Sequence, residues 1–111
     1  MALALNVFRT VTAEFTTATT TVYTAPVSYT GIVLLAQITN VTGTSGTVTC
    51  SVTNSASTVT ELLKDFSIPA YDAASAVSGK LVIETGCEFK ISASANSKFK
   101  LTLSILESAN E

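Results

Sequence analysis

Between Gly79 and Glu107 the chain reads GKLVIETGCEFKISASANSKFKLTLSILE, with two runs in which apolar residues stand at every second position. Phe89, Ile91, Ala93 and Ala95 alternate with Glu88, Lys90, Ser92 and Ser94. Phe99, Leu101, Leu103 and Ile105 then alternate with Lys98, Lys100, Thr102 and Ser104. A period of two sends one set to a buried face and the other to solvent, which a helix with 3.6 residues per turn cannot do. The stretch therefore predicts antiparallel strands. Their outer face is Ser, Thr and Lys, almost without groups that could act as catalysts.

The rest of the chain punctuates in the same way. Residues 7–15 alternate weakly, as at a sheet edge. A Thr-rich run leads into Val22-Tyr23-Thr24-Ala25, where Pro26 ends the strand because it has no N–H to donate, and residues 27–30 turn. Residues 32–40 are the most apolar run; strict alternation puts Ile32, Leu34, Ala36 and Ile38 on the core face and Val33 and Leu35 on the other. After the Gly-containing turn at 41–46, residues 47–54 form a clean alternating strand, and 55–57 turn the chain. Residues 58–68 suit a bulged strand closed by Pro69. Residues 70–78 form a loop of small side chains, with a helical turn over 72–76 capped by Asp72. Strands at 80–84, 88–95 and 98–106 complete the set, joined by hairpin connections at Thr85-Gly86 and Asn96-Ser97. About eight short strands at a spacing of roughly ten residues predict an all-β, single-domain antiparallel β-sandwich over 1–111, jelly-roll or Ig-like. Residues 1–6 form a first strand or an N-terminal arm.

Composition narrows the chemistry. Charged residues make up 13% of the 111, about half the usual share, so Ser and Thr must cover the surface. The net charge of −2 carries no footprint for nucleic acid, and Lys90, Lys98 and Lys100, which could share one sheet face, read as a solvated edge. No apolar run reaches the ~18 residues of a membrane span, and the start MALALNVF lacks the basic region and cleavage pattern of a signal peptide. Without histidine, neither a Ser-His-Asp nor a Cys-His arrangement can form within the chain. The acidic residues are scattered and read as solvated; Glu61 and Asp65 lie four apart, and Glu84 and Glu88 flank a turn. Cys50 and Cys87 share parity with apolar neighbours and read as two reduced core thiols, with a single disulfide joining two sheets as the alternative. No metal, cofactor or phosphate motif is present; Asn40-Val41-Thr42 matches a glycosylation sequon, which matters only in a secreted eukaryotic chain. Tyr23 reads as buried, while Tyr29 and Tyr71 fall in loops.

What remains is surface for association. The apolar arm has no evident partner within a small sandwich, Val33 and Leu35 form a second apolar face, and the 70–78 loop can lie flat against another protein. The candidate contacts are Leu3, Leu5, Val33, Leu35 and Tyr71.

Several pieces resemble, in order, a family of small β-sandwich virion proteins of tailed bacteriophages. They are Val22-Tyr23-Thr24-Ala25-Pro26; Gly31-Ile32-Val33 leading to Asn40; Phe66-Ser67-Ile68-Pro69-Ala70; Gly79-Lys80-Leu81-Val82-Ile83-Glu84 with Gly86; and Ile91-Ser92-Ala93-Ser94-Ala95 with a last alternating strand. The resemblance implies a non-enzymatic structural role, as a capsid decoration (cement) protein or a neck or tail part. It implies a homo-oligomer, a trimer on the capsid exterior, whose partners are the major capsid protein or other virion proteins. The contrasting expectation is a receptor- or carbohydrate-binding module using Tyr29 or Tyr71. Neither needs a cofactor.

Overall fold

The computed structural model describes residues 6–109, and every regular element in that span is a β-strand. In chain order these are β1 (Asn6–Glu14), β2 (Thr20–Thr24), β3 (Tyr29–Asn40), β4 (Gly46–Thr53), β5 (Val59–Ile68), β6 (Ala73–Ser75), β7 (Leu81–Ile83), β8 (Glu88–Ala93) and β9 (Phe99–Ala109). One sheet runs β1-β9-β3-β6, with β7 also on β3; the other runs β2-β8-β4-β5. All pairs are antiparallel.

The pairing is nested. β1 meets β9, β2 meets β8, β3 meets β6 and β7, and β4 meets β5. A long hairpin folded about the β4–β5 turn and rolled up gives this order, which is that of a jelly roll rather than an Ig sandwich. β7 covers Gly31–Val33 and β6 covers Gln37–Thr39, so together they act as one broken strand on the same edge of β3.

The inward set fills the space between the sheets. Phe99, Leu101, Leu103 and Ile105 from β9 and Phe89 and Ile91 from β8 are all buried, as the alternation predicts. Phe15 meets Phe99 edge-on at a centroid distance of 6.0 Å. Cys50 and Cys87 are both buried and unpaired, and burial pushes the Cys50 thiol up to about 12.

Several local expectations are corrected. Strict alternation in β3 fails because the register with β9 shifts between Val33 and Leu35. The extra residue, Leu34, swaps the two faces, so Val33 turns inward and is 0% exposed while Ile32 turns outward. No helical turn forms at 72–76: Ala73–Ser75 pairs with β3, and Asp72 Oδ1 accepts from the Ala73 amide at 2.8 Å instead of capping a helix. Thr85-Gly86 and Asn96-Ser97 are not hairpins, since each joins strands of different sheets. Lys90, Lys98 and Lys100 do not share a face: β8 and β9 belong to different sheets, and Lys98 is itself buried. Glu107 is not solvated either; it continues the inward parity of β9 and is 2% exposed.

Candidate interaction surface

The outward parity of the first sheet carries an unforeseen feature. Phe8 stands opposite Leu106, Leu106 opposite Ile32, and Ile32 opposite Val82. One apolar row therefore crosses β1, β9, β3 and β7 on the outer face, since the chain neighbours Val33, Ile83, Ile105 and Glu107 are buried. Phe8 is 76% exposed and Val82 57%, while Ile32 and Leu106 are half-buried between them. Across β1, β9 and β3 the flanking rows are Asn6, Ser108 and Thr30 on one side and Thr10, Ser104 and Leu35 on the other. Beyond them come Thr12, Thr102 and Gln37, and charge first enters at Glu14 and Lys100. Loss of charge around an apolar centre is the compositional mark of a protein interface.

The opposite sheet has a different outer surface. Lys90 pairs with Glu88 at 3.6 Å, and Glu61, Lys64 and Asp65 line a shallow cleft of about 340 Å³ with Thr49 and Ser51. Asp65 sits at φ 47° in β5, where its amide donates to Thr49 Oγ1 at 3.0 Å. A larger open cleft of about 580 Å³ lies between Thr30, Asn54, Ser55, Ala56, Glu84, Thr85 and Cys87. It holds one carboxylate and no second acid or base to complete a hydrolytic pair. Among the described residues, no three His, Cys, Asp or Glu side chains gather as metal ligands would.

Two buried polar networks sit at different places along the sandwich. Glu107 accepts from Arg9 Nε and from Tyr23 Oη, both at 2.7 Å. Burial, then the bond to Glu107, raises the Tyr23 phenol above its ordinary value, and the same carboxylate raises Arg9. Gly31, opposite Glu107, makes room: a Cβ there would lie 2.6 Å from Tyr23 Oη.

At the other end of β3, Asn40 is 0% exposed. Its Nδ2 donates to the carbonyls of Thr44 (2.8 Å), Pro69 (3.1 Å) and Ile68 (3.2 Å). Its Oδ1 accepts from Thr42 N at 3.0 Å and from Thr42 Oγ1 at 2.8 Å. Lys98 Nζ donates to Thr42 Oγ1 at 3.0 Å and also to Thr44 Oγ1. The amide a glycan would occupy is thus committed to the fold, and the sequon is a structural motif.

Of the candidate contacts, Leu3 and Leu5 lie outside the described residues. Val33 belongs to the core. Leu35 is 40% exposed on the outer face, one row from the apolar stripe. Tyr71 is 76% exposed at φ 55°, with its amide bonded to the Thr42 carbonyl, so it lies by the Asn40 end and away from Leu35. Phe8, Leu106 and Val82 were legible as apolar residues at outward parity; Ile32 was hidden by the bulge. No protein-family model matches this chain, and no curated protein is similar to it.

Proposed function

We propose that this chain is a non-enzymatic structural protein of a tailed-phage virion, a decoration (cement) protein that stabilises the capsid exterior by bridging neighbouring shell subunits. The observation that carries the association is the neutral outer face of the β1-β9-β3 sheet with its apolar row. The phage assignment rests on the sequence resemblance. Its pieces include Gly31 beneath Tyr23, Pro69 bonded to Asn40, and Gly86 at φ 85°, so they belong to the determinants of the fold. The scattered carboxylates and the single-acid cleft support a role without chemistry. Particles assembled without this chain are expected to burst at lower temperature or milder osmotic shock than complete ones. Equal burst thresholds would refute the decoration role.

The exposed, left-handed Tyr71 favours a second reading, a glycan- or receptor-binding module. Glycan-array binding lost on Tyr71→Ala would replace the first reading with this one.

A further inference from the structure

Among the described residues the sheets end in strands paired on one side only, and these edges differ. β2 is five residues long with a register shift. β5 has two register shifts and the left-handed Asp65. β6 and β7 are three residues each. Shortness and bulges are how sheets avoid pairing with other chains. β1 has neither: nine residues run against β9 without a shift. The Phe15 amide donates to the Phe99 carbonyl at 3.0 Å, which fixes the direction of the others. Odd-numbered residues of β1 turn their backbone groups to β9, and Phe8, Thr10 and Thr12 turn theirs to the open side.

We propose that a second copy of this chain occupies the β1 edge, its own β1 running antiparallel about a twofold axis at Phe8. This names the first partner within the association reading and rests on it. The register sets Phe8 against its counterpart and Asn6 against Thr10 of the other copy. The apolar row from Val82 through Ile32 and Leu106 to Phe8 then continues unbroken into the second molecule. Arg9 does not oppose the pairing, because its charge is already held by Glu107. In this register the five residues Asn6–Thr10 pair over about 17 Å, and a two-layer side about 20 Å deep gives on the order of 350 Å² per copy, the size of a weak, reversible contact rather than the ~800 Å² of a stable interface. A twofold pair departs from the trimer that the resemblance implies.

Sedimentation equilibrium and native mass spectrometry of the purified full chain test this. The expected species is twice the 11.5 kDa chain. Thr10→Pro removes an edge amide, and Phe8→Lys puts charge on the axis. Each should weaken the dimer at least about tenfold while keeping the wild-type β circular dichroism. If Thr10→Pro does not fold, Phe8→Lys and hydrogen exchange of the wild type decide: the Asn6, Phe8 and Thr10 amides should exchange slowly, and faster on dilution. A monomer at about 100 µM, a trimer, or a dimer indifferent to Phe8→Lys overturns the pairing. None of these touches the particle-burst result, and equal burst thresholds would leave the pairing standing.

Discussion

Replacing Asn40 by Ala should remove one of the strongest polar ties in the molecule. Asn40 joins three segments: the β3–β4 turn through Thr42 and Thr44, the end of β5 through Ile68, and the chain beyond it through Pro69. Its two amide hydrogens serve three carbonyls, so one of them is shared. Truncation leaves the Thr42 amide without its acceptor and the Ile68 and Pro69 carbonyls without this donor. At about 1 kcal/mol for each group, the low end for sites that water can partly re-enter, the cost is about 3 kcal/mol. For a domain of this size that lowers Tm by about 12 °C. Asn40→Asp sharpens the test, because it keeps an acceptor for Thr42 but turns a second oxygen toward the carbonyls. Repulsion from the Thr44, Ile68 and Pro69 carbonyls in direct contact outweighs Lys98, whose Nζ reaches the site only through Thr42 Oγ1, so a carboxyl there resists ionising and its folded pKa lies above the unfolded value near 3.9. The stability it retains is present below pH 4 and is lost as pH rises through the raised folded value. Thermal and urea melts of the wild type, Asn40→Ala and Asn40→Asp at pH 4 and pH 7 give the comparison. A cost for Asn40→Ala below about 1 kcal/mol, or an Asp variant whose deficit does not grow with pH, would show that the network does not hold the turn.

The bulge at Leu34 predicts opposite outcomes for adjacent residue types: Val33→Asp should prevent folding, while Leu35→Asp should change stability by less than about 1 kcal/mol, as read by urea melts. Gly31→Ala forces a methyl group against Tyr23 and should cost about 2 kcal/mol, with the loss of Tyr23 burial followed by tyrosine fluorescence. Cys50 has a folded pKa raised from about 9 to about 12, so its stabilising effect is complete below pH 9 and falls as pH rises through that window. Between pH 9 and 10, before Tyr23 contributes, Cys50→Ala should flatten the decline in unfolding free energy by up to about 1.4 kcal/mol per pH unit. Both thiols are free, so a reductant should leave Tm unchanged.

Strand positions were legible because period-two patterning survives in β4, β8 and β9, where each strand lays one apolar face on the core. Connectivity was not. Thr85-Gly86 and Asn96-Ser97 have the length and residue types of hairpin turns, yet they carry the chain from one sheet to the other. Local chemistry sets the tightness of a turn; which sheet receives the next strand depends on the nested pairing of residues far apart in sequence. The interaction surface was half legible for the same reason. Parity alone exposes Leu106 and Phe8, but a single extra residue inverts β3, and no residue type at Leu34 announces a bulge. Asn40 showed in the sequence only as a sequon match, which specifies neighbours along the chain, whereas its role depends on carbonyls at Ile68 and Pro69.

The scarcity of charge in this chain acquires a use from where the buried charges went. Glu107 and Lys98 lie near opposite ends of β9, at 2% and 8% exposure. At such places the chain leaves one sheet for the other, and backbone or side-chain polar groups need partners that a regular ladder no longer supplies. Glu107 binds Tyr23 of the second sheet, and Lys98 binds the turn that carries β3 into β4. These residues therefore tie the layers together at the ends, while the middle stays apolar around Leu101, Leu103 and Ile91. With Arg9 also drawn to Glu107, the broad face between Asn6 and Thr102 is left to hydroxyls, amides and one apolar row. Association through such a face draws little on long-range attraction. The dimer's dissociation constant should accordingly change by less than about threefold between 50 mM and 500 mM NaCl. A pronounced salt dependence by sedimentation would place the contact on the charged β5 and β8 side instead.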